Sequence, residues 1–284
     1  MHGKVVLITG ATSGIGKAAA MGLARMGATT VVGARNVEKG RQTIAEIQAI
    51  TGSPNVEMLV GDFSSLAQVH RMAVEFKRRF ARLDVLVNNA GLQLTERQLT
   101  IDGFETTFQV NYLVPFLLTH LLLDRLEASA PARIVNVASV VHRWAKLDLS
   151  DLQLEFGYEP NRAYYRSKLA LVYFTYALAQ RLRGTGVVVN AMEPGLTRTD
   201  FARDFRGVMR LGSRLMRLFM HSAEQGADTV VYLASSPEVE GVSGGYFARR
   251  RAIRSSKRSY DPEVARQLWN QSLRLCGLGE GVWV

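Results

Sequence analysis

Cysteine occurs once in the 284-residue chain, at Cys276, so no disulfide can form within it. A reducing compartment is expected, and a fold held without covalent staples. A membrane-spanning run is missing as well. The most lipid-like stretch, Leu113 to Leu123, is interrupted by Pro115 and His120 and ended by Asp124. At 11 residues it suits a buried helix better than a bilayer span. Met-His-Gly-Lys runs straight into an apolar strand, as expected of a chain without a signal peptide. No Pro/Gly/Ser-rich linker, low-complexity tract or internal repeat divides the sequence. One domain over 1–284 is therefore expected.

With 47% apolar and 21% charged residues, the composition is that of a soluble globular protein. The net charge of +10 is local. Residues 203–217 carry five arginines against Asp204, and residues 249–258 carry Arg249, Arg250, Arg251, Arg254, Lys257 and Arg258; everything else is neutral. Charge placed this way speaks to partners rather than to fold.

Strands and helices alternate along the chain. Apolar β-branched runs at Lys4–Thr9, Thr29–Ala34, Val56–Val60, Leu83–Val87, Arg133–Val137, Val187–Met192 and Gly245–Phe247 predict strands. Between them, helices are expected at Gly14–Met26, from the Asn36 cap to Ile50, and at Ser65–Phe80, Phe104–Leu126, Asn161–Leu182 and Ala223–Ala234. Continuous rather than alternating apolar strands require cover on both faces. The fold class is therefore α/β, a doubly wound parallel sheet, with ligands expected at the carboxyl ends of the strands.

The first such end reads Thr9-Gly10-Ala11-Thr12-Ser13-Gly14-Ile15-Gly16 and opens a helix. Glycines there permit a tight turn and let backbone N–H groups approach a pyrophosphate at the positive helix terminus. The second strand ends at Ala34-Arg35-Asn36. A free ribose 2′-hydroxyl calls for an acid at this point and a 2′-phosphate for an arginine, so Arg35 favours NADP over NAD. A solvated surface arginine is the plainer reading. Asp62, past the third strand, either accepts from an adenine amino group or caps the following helix. No metal site is read.

Further stretches fall at the same edge: Asn88-Asn89-Ala90-Gly91 after the fourth strand, Asn111 in the long helix, Ser139 after the fifth strand and Pro194-Gly195 after the sixth. With Tyr164 and Lys168, four apart on a helix and so on one face, they resemble the short-chain dehydrogenase/reductase superfamily over essentially the whole chain. Asp-Gly-Phe-Glu (102–105), Leu-Leu-Leu-Asp (121–124), Ser-Lys-Leu-Ala (167–170), Glu-Gly-Val-Ser-Gly (240–244) and Arg-Gln-Leu-Trp (266–269) resemble its retinol-dehydrogenase-like branch.

The resemblance implies a Rossmann-type fold and a hydride transfer between NADP(H) and an apolar carbonyl or alcohol, retinal-like or a long-chain aldehyde. It implies Tyr164 as acid/base, Lys168 as its tuning cation and ribose ligand, Ser139 as the hydroxyl that orients the substrate oxygen, and Asn111 as support for a water relay to the lysine. It also implies a cofactor set of Gly10, Thr12, Ser13, Gly14, Ile15, Gly16, Arg35, Asp62, Phe63, Asn89, Ala90, Gly91, Tyr164, Lys168, Pro194, Gly195, Thr197 and Thr199. A lysine ammonium beside the phenol is expected to lower its pKa towards neutrality. Pro115 lacks the N–H that would bond the Asn111 carbonyl, so a helix kink is expected at 111–115.

Residues 197–222 are expected to form a substrate lid, whose Val208, Leu211, Leu215, Leu218 and Phe219 alternate with arginines at helical spacing. Residues 248–284 form a C-terminal tail. The lid and the 249–258 cluster suit peripheral contact with an anionic membrane. They do not suit nucleic acid, because no aromatic platform interleaves with the arginines. A cytoplasmic protein in peripheral contact with membrane is the expected location. The branch often carries a membrane anchor before the first strand, with which this chain begins. The family's dimers pair helices like 104–126 and 161–182, so a homodimer is an expectation. Glu193 stands where the branch more often has histidine, which bears on the substrate rather than on the chemistry. The alternatives are a catalytically silent nucleotide-binding regulator, or a relative acting on steroids or nucleotide-sugars.

Overall fold

The computed structural model describes residues 1–195 and 222–279. Eight strands form one sheet: β1 Val5–Thr9, β2 Thr29–Ala34, β3 Val56–Val60, β4 Val85–Asn88, β5 Ala132–Val137, β6 Val187–Glu193, β7 Tyr246–Ala248 and β8 Arg251–Ile253. Their order is β3-β2-β1-β4-β5-β6-β7-β8. The first seven run parallel, joined through α1 Gly14–Arg25, α2 Val37–Thr51, α3 Leu66–Arg79, α4 Val114–Ala128, α5 Pro160–Arg181 and α6 Ala223–Ser235. A last helix, α7, spans Pro262–Leu275.

Neighbouring strand residues point to opposite faces, so each buried strand feeds two cores. Val5 and Leu7 join Leu86 and Ile134 under α3, α4 and α5, while Val6 and Ile8 join Val87 and Val135 under α1 and α6. The strand order reverses between β1 and β4, and there the carboxyl-edge crevice of such sheets opens.

Three details refine these expectations. The sheet is not parallel throughout, because β8 pairs antiparallel with β7. Two residues, Arg249 and Arg250, make the turn between them, both with left-handed φ (50° and 60°). Arg250 is held there by its N–H on Thr229 Oγ1 and its guanidinium on Asp228. The 104–126 segment is not one regular helix. Thr106–Phe108 is a single turn, Gln109–Leu113 is π-helical, and α4 follows. The wide turn contains Asn111 and ends two residues before Pro115, with the Val114 N–H bonded to the Gln109 carbonyl. Finally, α7 lies within what was expected to be a tail. Asp261 caps it through its carboxylate, and Pro262 occupies its first turn.

Thr106–Ala128 is long and apolar enough to cross a membrane, but 83% of its most apolar window is buried within the protein. It is the central helix of the core. The outer side of α4 and α5 is covered by α7. Trp269 is 3% exposed and packs edge-on to Phe116 at 5.1 Å, beside Phe174 at 5.9 Å, with the Arg181 guanidinium 4.0 Å from its ring centre.

Candidate active site

The phosphate loop is shaped by what its neighbours leave room for. Gly10 has φ 65°, and a Cβ there would stand 2.8 Å from the Ala90 Cα. A Cβ on Gly16 would stand 2.6 Å from the Gly10 carbonyl oxygen. Asn89 ties the loop after β4 to the end of β1. Its side chain donates to the Thr9 and Gly10 carbonyls (2.9 and 3.2 Å), and the Asn89 and Ala90 N–H groups both reach Thr9 Oγ1. Ser13 heads α1 without bonding it through its side chain, and no acid sits in the first turn. Thr12, Ser13 and Gly14 are half-buried beside the crevice, while Ile15 packs into the core. Backbone N–H groups with no side-chain acceptor, on a close-packed glycine turn, fit a pyrophosphate. The residues therefore suit the nicotinamide dinucleotide that the fold implies.

Along the edge, the register Ala34↔Val60 puts Arg35 and Asp62 at the ends of adjacent strands. Arg35 is exposed and has no ion pair among the described residues. Asp62 is not the cap of α3; Ser65 is, accepting from the Gln68 N–H. Asp62 instead closes the turn before it, its Oδ1 accepting from the Ser64 N–H at 2.9 Å. Phe63 packs against the core, and its carbonyl accepts from Gln109.

On the other side of the switch point, Tyr164, Ser139, Lys168 and Asn111 converge. The Ser139 hydroxyl, free of any cap bond to the 3₁₀ turn Val140–Trp144 that it heads, hydrogen-bonds the Tyr164 phenol. Lys168 Nζ lies 5.6 Å from the Tyr164 ring centre and donates to the Val137 carbonyl at 2.9 Å. Asn111 accepts from the Leu92 N–H and donates to the Leu92 carbonyl, both at 2.8 Å, and to Ser167 Oγ at 3.0 Å. Gly91 stands between these groups: a Cβ on it would be 3.3 Å from both Asn111 Oδ1 and Lys168 Nζ. Pro194 and Gly195 (φ 75°) follow β6 at the same edge. Thr197, Thr199 and nearly all of the expected lid lie outside the described residues.

The electrostatics differ from expectation. Burial dominates, pushing the Tyr164 phenol up to about 12 against the pull of the Ser139 hydroxyl. It pushes the Lys168 amine down to about 8. Each group is thus drawn towards its uncharged form, because desolvation is the largest influence on both. Tyr165, next along α5, faces elsewhere and packs near Trp144.

Several further residues at the site take their roles only from the structure. Asn88 donates to Asn136 and Thr119, and Asn136 to Thr175, a buried polar ladder that pins β4 and β5 to α4 and α5. His142, Tyr246 and Glu193 join behind Ser139. His142 lies three residues past the serine; its partners come from more than 50 residues away.

A model of the short chain dehydrogenase family matches residues 4–209. Retinol dehydrogenase 13 of Mus musculus is 42% identical over 284 residues, covering 97% of this chain and 84% of its own. Polyprenol dehydrogenase of Homo sapiens is 38% identical over 282 residues, covering 97% and 86%. Among solved structures, the Pseudomonas aeruginosa RhlG/NADP active-site complex aligns at a TM-score of 0.71 and 28% identity, covering 87% of this chain and 94% of that one.

Proposed function

The chain belongs to the short-chain dehydrogenase family and is an oxidoreductase of that type with a nicotinamide cofactor; we propose that it uses NADP(H) to interconvert an apolar carbonyl compound and its alcohol. The observation that carries the reading is the Tyr164 phenol, hydrogen-bonded to Ser139 and one helical turn from the buried Lys168.

When bound, the nicotinamide supplies or accepts the hydride. In the reducing direction Tyr164 gives its proton to the carbonyl oxygen, and Ser139 holds that oxygen by hydrogen bond. Lys168, with a pKa of about 8, stays mostly protonated at neutral pH and favours the phenolate left behind. Asn111 fixes the loop through Leu92 next to the lysine and supports its proton supply. Arg35, exposed and without an ion pair among the described residues, suits the 2′-phosphate. An apolar substrate accords with the retinol and polyprenol named for the relatives. Arg251, Arg254 and Lys257 stand exposed at the sheet edge and suit peripheral contact with anionic lipid.

The test is nicotinamide fluorescence titration with NADPH and NADH, followed by turnover of retinal and a long-chain aldehyde. Tighter NADPH binding and turnover are expected. Tyr164→Phe should lose about 10²- to 10⁴-fold in kcat with NADPH binding retained. Equal or tighter NADH binding refutes the cofactor preference, and turnover by the phenylalanine variant refutes the role of Tyr164.

A further inference from the structure

Behind Ser139 lies a hydrogen-bonded chain that the proton transfer above does not use. His142 is fully buried in the turn that Ser139 heads. Its Nδ1 lies 2.7 Å from the Ser139 carbonyl oxygen, and its Nε2 lies 3.1 Å from the backbone nitrogen of Ser256. A carbonyl only accepts and a backbone N–H only donates. One form of the ring satisfies both contacts: the neutral imidazole with its proton on Nδ1.

That assignment orients the next link. The Tyr246 hydroxyl is 3.2 Å from Nδ1 and 2.8 Å from Glu193 Oε2. With the ring proton on Nδ1, the tyrosine proton goes to the carboxylate, and its oxygen takes a second share of the Nδ1–H. Donation therefore runs from Ser256 to His142, from His142 to both Ser139 and Tyr246, and from Tyr246 to Glu193. The two rings also pack at 4.8 Å. Burial pushes His142 down to about 4 and Tyr246 upward, and nearby Arg143 lowers both. Neither ring changes charge near neutrality.

Ser139 has no side-chain bond to its own turn, so its place depends on its peptide. The carbonyl of that peptide accepts twice from His142, from the ring and from the backbone N–H at 3.2 Å. Both lone pairs are used, which fixes the peptide plane and with it the Cα–Cβ bond that carries the hydroxyl beside Tyr164. Glu193 ends β6 directly before Pro194-Gly195, and Tyr246 opens β7. The ends of two strands, β6 and β7, are thereby tied to the serine that follows β5.

We propose that Glu193, Tyr246 and His142 are positioning residues for the reaction, holding the Ser139 peptide so that its hydroxyl meets both Tyr164 and the substrate oxygen. The proposal rests on the role given to Ser139 under the proposed function.

Two measurements test it. Nitrogen-15 NMR of histidine-labelled protein should find His142 neutral with the proton on Nδ1; a proton on Nε2, or on both nitrogens, overturns the chain whatever the variants do. Steady-state kinetics with NADPH and a long-chain aldehyde then compare wild type with Ser139→Ala, Tyr246→Phe, Glu193→Ala and Glu193→Gln. Tyr246→Phe and Glu193→Ala should lower kcat about 10- to 100-fold with KM and NADPH affinity unmoved, the loss expected of a slightly misplaced group. Glu193→Gln keeps an acceptor for the tyrosine proton and should recover most of kcat. Unchanged kcat in Tyr246→Phe, where Ser139→Ala has lost activity, refutes positioning and leaves the reading of Ser139 intact. A parallel loss of NADPH affinity and kcat in Glu193→Ala assigns Glu193 to the cofactor loop instead and also refutes it. Full activity in Ser139→Ala removes the underlying reading and the proposal with it.

Discussion

Replacing Lys168 by methionine should make the protein more stable at neutral pH and less stable at high pH. The amine is 4% exposed, and burial draws its pKa from an ordinary 10.5 to about 8. That drop places a penalty of about 3 kcal/mol on the folded, charged form. Below about pH 8 both folded and unfolded chains carry the proton, and the full penalty applies. Between about 8 and 10.5 the folded protein has released it while the unfolded chain still holds it, so wild-type stability climbs with pH. Above about 10.5 neither is charged and the penalty is gone. Methionine fills nearly the same volume and has no such slope. It does leave the Val137 carbonyl without the bond it receives at 2.9 Å, a loss of about 1–2 kcal/mol. The variant should therefore gain about 1–2 kcal/mol at pH 7 and lose about 1–2 kcal/mol near pH 10.5. Urea unfolding of both proteins at pH 7 and pH 10 measures this, and the difference should fall by about 2.5 kcal/mol between the two. Other titrating groups cancel in the comparison. A difference that does not move with pH would show that the lysine is not buried as a charge. Turnover should be lost at every pH, because the destabilising cation is the one the tyrosine needs.

Arg35→Ala should weaken NADPH binding about 10- to 100-fold, the loss of a charge-assisted contact to phosphate, and leave NADH binding unchanged in the same fluorescence titration. Gly16→Ala puts a Cβ 2.6 Å from the Gly10 carbonyl oxygen; thermal unfolding should report a loss of about 1–3 kcal/mol, and NADPH affinity should fall with it as the loop is forced open. Trp269→Ala removes the ring that α7 lays against Phe116 and Phe174, and urea unfolding should report a loss of about 3–5 kcal/mol.

What was legible in the sequence follows the range of the interactions involved. The continuous apolar runs fix β1 to β7 to within a residue or two, because parallel strands buried on both faces need side chains of that kind everywhere. Gly10, Gly16, Tyr164 and Lys168 were legible for a related reason: a turn with left-handed φ at Gly10, a glycine one turn into the helix and a pair four apart on a helix are local patterns. The turn at Arg249 and Arg250 gave no warning, since left-handed turns usually hold glycine or asparagine, and here the distant Asp228 and Thr229 stabilise it. The π-helical turn around Asn111 was hinted at only by Pro115. The capping signal of α7 was present in Asp261-Pro262-Glu263, and Leu268, Trp269, Ser272 and Leu273 mark its buried face. The pKa directions were not legible. The four-residue spacing promises attraction between lysine and phenol, but desolvation depends on everything packed around them.

The position of α7 also bears on how copies of the chain meet. A dimer that pairs the 104–126 and 161–182 helices needs their outer faces bare. In this protein α7 covers that face, with Trp269 against Phe116 and Phe174, Arg181 over the indole, and the Tyr112 hydroxyl 2.7 Å from Ser272 Oγ. Phe116 and Leu117 are already fully buried within a single copy. Association through this face would have to displace α7 and its roughly 3–5 kcal/mol aromatic anchor before gaining any contact. The same cover has a consequence at the site. Tyr164 and Lys168 ride on the first turns of α5, and Asn111 on the wide turn just before α4. Through Phe116, Phe174 and Arg181, α7 clamps the start of α4 to the later turns of α5, and so helps to hold the angle at which those three side chains reach the sheet edge. Tyr112 binds Ser272 from within the same π-helical segment that carries Asn111, so the C-terminal helix is joined to the active-site edge one residue from the asparagine.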